Sequence, residues 1–215
     1  MNTDKKELTS AFTHLGGAVF GIVGTILLLS NVKNSNNTMT VIAFLIFGLS
    51  MILLYSASTI YHFIDKSKGK AKLIMRKLDH IMIFVLIAGT YTPICLLVLN
   101  NNAGYRLLAL VWTITLIGVF IKIFWIKSPN WVSSLLYIAM GWLAVLVLSP
   151  LATNMPAGGM FWLVLGGIFY TVGGTIYGIK KPNINNTYFG FHELFHLFVL
   201  AGTFCHFIMM YFYVG

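Results

Sequence analysis

Long apolar runs alternate with short polar connections along the 215 residues of the chain. Seven runs stand out, at about 12–30, 40–62, 77–99, 105–125, 131–149, 159–179 and 189–213. The shortest holds 19 residues, enough helix to cross a hydrocarbon core of roughly 30 Å. Turn-forming residues fill the gaps: Asn31 to Thr38, Asn100 to Gly104, Ser128-Pro129-Asn130, Asn154 to Gly159 and Pro182 to Thr187. The pattern predicts an all-α membrane protein, a seven-transmembrane helix bundle using residues 1–215 as one domain. Glycines four apart, Gly17 with Gly21 and Gly174 with Gly178, predict close helix–helix approach. Pro93 predicts a bend in the third span near Thr90-Tyr91-Thr92. The polar start from Met1 to Ser10, ahead of a full-length apolar run, reads as the lead-in to a first span rather than as a cleavable signal.

Composition sharpens this picture. Hydrophobic residues make up 58% of the chain and charged residues 9%, and the mean hydropathy is +0.86. Such values lie far outside the range of soluble proteins. A net charge of +9 would suit nucleic acid, but the basic residues sit in the short connections, where they act as topology signals instead. With the N-terminus inside, the inner segments hold Lys5, Lys6, Lys66, Lys68, Lys70, Lys72, Arg76, Lys77, Lys122, Lys127, Lys180 and Lys181, and the outer segments only Lys33 and Arg106. Twelve against two predicts a cytoplasmic N-terminus and an outside C-terminus in a multi-pass cell-membrane protein. Anionic lipid headgroups are a secondary reading of the loop from Lys66 to Lys77. Cys95 and Cys205 both fall within spans and form neither a disulfide framework nor a metal motif.

The last span carries the candidate chemistry. His192 and His196 stand four apart, which on a helix puts both imidazoles on one face with Cβ atoms roughly 6 Å apart. Both rings can then reach one metal ion, and a nitrogen-rich site favours Zn²⁺. Ionisable groups inside a bilayer are expensive and point to function. In the charge-derived topology, His62 ends the second span and Asp79 opens the third at the same inner face that His192 and His196 enter from. Ser58 lies one turn deeper than His62 on the same helix face. One depth, the inner leaflet, therefore collects several scattered polar residues.

Ser58-x-x-x-His62, Asp79 seventeen residues on, and His192-x-x-x-His196 in the seventh span resemble the hemolysin III family. Thr13-His14 at the start of the first span and Gly89-Thr90-Tyr91-Thr92-Pro93 are similar to family patterns as well. That family belongs to the progestin and adipoQ receptor superfamily, whose relatives include alkaline ceramidases. The resemblance covers essentially the whole chain. It implies a seven-helix bundle with Zn²⁺ held by His62, His192 and His196, a metal-associated water held by Asp79, and Ser58 beside it. Three neutral imidazoles leave a fourth tetrahedral position open, the arrangement of catalytic zinc. Asp79 would then act as general base and Ser58 as a hydrogen-bonding partner of the water or of a developing oxyanion. A substrate reaching this depth is a membrane lipid with an amide or ester bond.

Other classes fit parts of the pattern. His192-Glu193-Leu194-Phe195-His196 reads as H-E-x-x-H, which in metalloproteases supplies two ligands and a general base. An intramembrane protease of that kind leaves Ser58, His62 and Asp79 without a joint role, and Glu193 instead reads as an entrance or proton-shuttle residue. The family's name implies a cytolytic, pore-forming protein, yet no span carries a polar stripe. A receptor or regulator of lipid composition with structural zinc is a third class. His80 points about 100° away from Asp79 around its helix and reads as packing or as support behind the ligands. His14 and His206 are not needed as ligands, and His206 reads as a packing residue.

Overall fold

The computed structural model describes residues 5–32 and 38–214. Lys33, assigned above to the outer side, lies outside the described residues, as do Met1 to Asp4 of the polar start. Among the described residues, seven helical spans are long and apolar enough to cross a membrane, and no strand occurs. They are α1 (Lys5–Ser30), α2 (Thr38–Phe63), α3 (Gly69–Leu99), α4 (Asn102–Phe124), α5 (Asn130–Asn154), α6 (Ala157–Ile179) and α7 (Phe191–Val214). Two begin well before their apolar runs: α1 at Lys5 rather than 12, and α3 at Gly69 rather than 77. Polar residues carry both helices beyond the apolar core, where charged side chains stay in water.

Packing is inverted relative to a soluble bundle. On α1 the small and polar residues Ser10, His14, Gly17, Gly21 and Thr25 are buried, while Phe12, Leu15, Val19, Ile22 and Ile26 face outward. Lipid offers large apolar side chains a solvent as good as the core, so close backbone approach and polar pairing decide which face turns inward. Both predicted glycine pairs lie at such approaches. A Cβ on Gly17 would stand 2.7 Å from the Tyr55 ring and from Leu200, and one on Gly21 would stand 3.2 Å from Ile52. Gly174 meets Ile138 at 3.1 Å and Gly178 meets Ser134 at 3.0 Å by the same construction, which joins α6 to α5.

Six helices close a ring in the order α1, α2, α3, α5, α6, α7 and back to α1, while α4 packs outside it, chiefly on α3. Pro93 stands at an irregularity of the third span. The α-helical pattern runs to Pro93 and then loosens into a π segment, Ile94–Leu99, closed by the Asn100 amide on the Cys95 carbonyl at 3.0 Å. Proline supplies no amide proton, and the wider turn takes up the mismatch. Across the ring, α5 tightens to 3₁₀ geometry over Trp142–Val147. The Tyr91 hydroxyl stitches that break: it donates to the Gly141 carbonyl at 2.6 Å and accepts from the Ala144 amide at 2.8 Å.

Gly17→Ala is expected to cost about 1–3 kcal/mol, because a well-packed helix contact must open. Gly16→Ala, whose Cβ would meet nothing within 4 Å, is expected to leave stability unchanged or slightly raised. Thermal unfolding of the two variants in detergent checks this, and equal melting temperatures would contradict the packing of α1.

Candidate metal centre

The first turns of α7 and the last turn of α2 meet inside the ring. Candidate ligand atoms of His62, His192 and His196 all lie within 4.8 Å of one another, a group able to hold a metal ion. His62 Nε2 and His192 Nε2 are 3.3 Å apart. Zinc–imidazole bonds of about 2.0–2.1 Å in a tetrahedron place ligand nitrogens roughly 3.3–3.4 Å apart, so this pair has the required spacing. A hydrogen bond between the two rings would account for that one separation, but not for a third imidazole converging on them. The Ser58 hydroxyl, one turn before His62, is fully buried and has no hydrogen-bond partner among the described residues. Three converging nitrogens beside an unsatisfied hydroxyl fit a metal with a further position open.

The opening turns of α1 wrap this group. Glu7 Oε2 lies 2.8 Å from His62 Nδ1. A carboxylate there accepts a hydrogen bond from Nδ1–H, so His62 keeps its Nε2 lone pair facing the other rings. Lys72 donates to the same Glu7 oxygen at 3.2 Å, and to the Tyr61 and Ile64 carbonyls at 2.7 and 3.0 Å. It thereby neutralises the carboxylate and caps the C-terminal end of α2. The Thr13 hydroxyl lies 3.4 Å from His196 Nδ1. His14 stacks on His196 with ring centroids 3.6 Å apart and planes 8° from parallel. Both ring nitrogens of His14 are buried without a hydrogen-bond partner among the described residues.

Of the remaining sequence-derived candidates, Asp79 and His80 occupy the start of the buried stretch of α3. Asp79 Oδ2 stands 3.7 Å from His80 Nδ1. Asp79 is not a member of the three-histidine group. His80 Nδ1 donates to the Arg76 carbonyl at 2.8 Å, which leaves Nε2 to accept from the Tyr177 hydroxyl at 3.1 Å. The Tyr177 ring in turn packs on His192, centroids 6.0 Å apart. His80 thus supports the site through Tyr177. Glu193 turns towards α1, where Oε1 accepts the Ser10 hydroxyl at 2.7 Å. His206 lies near the other end of α7, with Nε2 3.3 Å from the Leu163 carbonyl.

Sequence comparison places the chain in a family. The model of the haemolysin-III related family matches residues 2–207. The chain belongs to the haemolysin-III related family. It is 38% identical to Hemolysin-3 of Bacillus cereus over 210 residues, covering 98% of this chain and 92% of that one. To a Hemolysin-3 homolog of Bacillus subtilis it is 38% identical over 213 residues, covering 99% and 96%. With seven spans and these bacterial relatives, the haemolysin-III chain is a multi-pass bacterial membrane protein.

Sequence reasoning gave Glu7 no role and treated Lys72 only as a topology signal. The legible signal was the scarcity of acids: Glu7 is one of five in the chain, and it stands three and seven residues before Ser10 and His14, on one helical face.

Inside the ring lies a cavity of about 160 Å³ walled mostly by apolar side chains of α2, α3, α5, α6 and α7, with His62, His192 and His196 outside its lining. Tyr137 and Phe195 line it, and the Phe195 ring packs within 5.8–6.0 Å of His196 and His192. Leu54, Leu86 and Val199 line it as well, and His206 also contributes to the wall.

Proposed function

We propose that this haemolysin-III protein is a zinc-dependent hydrolase that cleaves an amide or ester bond of a membrane lipid in the inner leaflet, with the N-terminus cytoplasmic. The observation that carries the reading is a three-imidazole group in a bundle whose interior also holds an apolar cavity lined by Phe195, the neighbour of His196. Structural zinc sites fill four positions with protein ligands, whereas three histidines leave one for water or substrate. When bound, zinc supplies Lewis acidity and an activated water near neutral pH.

The residues of the chain divide the remaining work. His62, His192 and His196 offer neutral imidazole nitrogens and fix where the carbonyl of a substrate is held. Asp79 Oδ accepts a proton from water and returns it to the leaving amine or alcohol, the general base and then the general acid. The Ser58 hydroxyl donates to the oxygen that gains charge. The apolar cavity takes an acyl chain and excludes water, which strengthens each of these contacts. Against a protease of the H-E-x-x-H type stands Glu193, which is fastened to Ser10 and outside the three-histidine group. Against a pore within one chain stands the apolar lining of the ring interior.

Asp79→Asn is expected to keep zinc and fold but to lose about 10²–10⁴ in the rate of fatty-acid release from short-chain amide and ester lipids in detergent. Glu193→Gln keeps an acceptor for Ser10 and is expected to change that rate only a few-fold. Leakage of loaded vesicles measured in parallel separates the readings. Leakage indifferent to Asp79→Asn, with no lipid cleaved by the parent protein, would overturn the hydrolase. For orientation, a reporter in the loop between Lys66 and Lys72 is expected to read cytoplasm and one after Gly215 outside. A cytoplasmic C-terminal reporter would overturn the assigned topology.

A further inference from the structure

We infer that Glu7 is the positioning residue of the metal centre: its carboxylate fixes the tautomer and ring orientation of His62 and so sets the affinity of the site for its ion. This rests on the reading of His62, His192 and His196 as a metal site.

His62 is the ligand that comes from outside α7. His192 and His196 share one helix and are held in relative position by its backbone, while His62 reaches them from the far end of α2, 130 residues away from His192 in sequence. Its ring has a soft χ2 torsion, and nothing in α2 itself decides which nitrogen faces inward. Glu7 decides it. At 2.8 Å from Nδ1 the carboxylate accepts a hydrogen bond from Nδ1–H, leaves Nε2 unprotonated towards His192, and raises the basicity of the imidazole. The carboxylate is itself pinned. Lys72 donates to the same oxygen at 3.2 Å while anchored on the Tyr61 and Ile64 carbonyls, and Lys66 stands 3.9 Å from the other oxygen. One lysine on α3 thereby ties the last turn of α2 to the first turn of α1 through the residue that aims His62.

The same face of α1 continues the task on the second helix. Ser10 fastens Glu193, and Thr13 and His14 lie against His196. Glu7, Ser10, Thr13 and His14 follow one another at helical spacing. The opening turns of α1 thus act as a clamp that holds the α2 and α7 ligands in register.

Zinc affinity of the purified full-length chain, measured by chelator competition, tests the inference, with cobalt substitution reporting ligand geometry. Glu7→Ala is expected to weaken zinc about 100-fold and Glu7→Gln about 10-fold, the range for losing a carboxylate behind a ligand histidine. The cobalt absorption bands should shift in Glu7→Ala. Lys66→Ala, an exposed neighbour of the same carboxylate, is expected to stay within about twofold of the parent. A merely structural Glu7 would lower the melting temperature while leaving zinc affinity and cobalt bands unchanged, and that result overturns the inference. Should Glu7→Ala fail to fold, the near-isosteric Glu7→Gln decides: affinity within about twofold of the parent overturns it. A parent chain that binds no zinc at all brings down the metal reading, and the positioning role with it. A zinc-binding parent with unaltered Glu7 variants brings down the positioning role alone.

Discussion

A polar group brought into a membrane-embedded bundle gains from a partner inside the protein, because hydrocarbon offers none and an unsatisfied polar group there costs several kcal/mol. Around the three histidines this demand organises the structure. Glu7 answers His62 Nδ1, Thr13 stands by His196 Nδ1, and Tyr177 links His192 to His80. These contacts come from α1, α3 and α6, so five helices meet around the histidines of α2 and α7. The nitrogens left over, those facing one another, are what a metal ion would take up.

Small residues make the same arrangement affordable to the backbone. Gly17 and Gly21 let α1 approach α2 closely enough for Glu7 to reach His62, and Gly174 and Gly178 bring α6 against α5. The ring that results is closed by the contact of α7 with α1, and its interior holds a cavity rather than a packed seam. Phe195 both lines that cavity and packs against His192 and His196. On the proposed reading, a lipid's reacting bond and acyl chain would be accommodated on the two sides of that ring.

Much of this was legible in the sequence, for identifiable reasons. A bilayer demands about twenty apolar residues per span, so the seven spans could be counted directly. Their ends could not, because the polar turns that open α1 and α3 carry no hydropathy signal. The helix period made His192 and His196 a pair, and His62 joined them through the charge-derived topology and the family pattern. Glu7 escaped because its partner lies 55 residues away, and a carboxylate near the N-terminus looks like any solvated charge. Nor could the sequence tell that α4 stands outside the ring: a span apolar on all sides does not announce its neighbours. Pro93 was legible as an irregularity, but not the π segment that follows it, whose closure depends on the residues after it. Asp79 and Ser58 were singled out by spacing, and their roles in proton transfer rest on chemistry that only a reacting lipid would display.

The central claim is that His62, His192 and His196 bind one zinc ion with a position left open. X-ray absorption at the zinc edge of the purified chain measures this directly. The account predicts three imidazole nitrogens at about 2.0–2.1 Å with one further light oxygen scatterer. Sulfur scattering at about 2.3 Å, fewer than three imidazoles, or a chain that holds no zinc would contradict it.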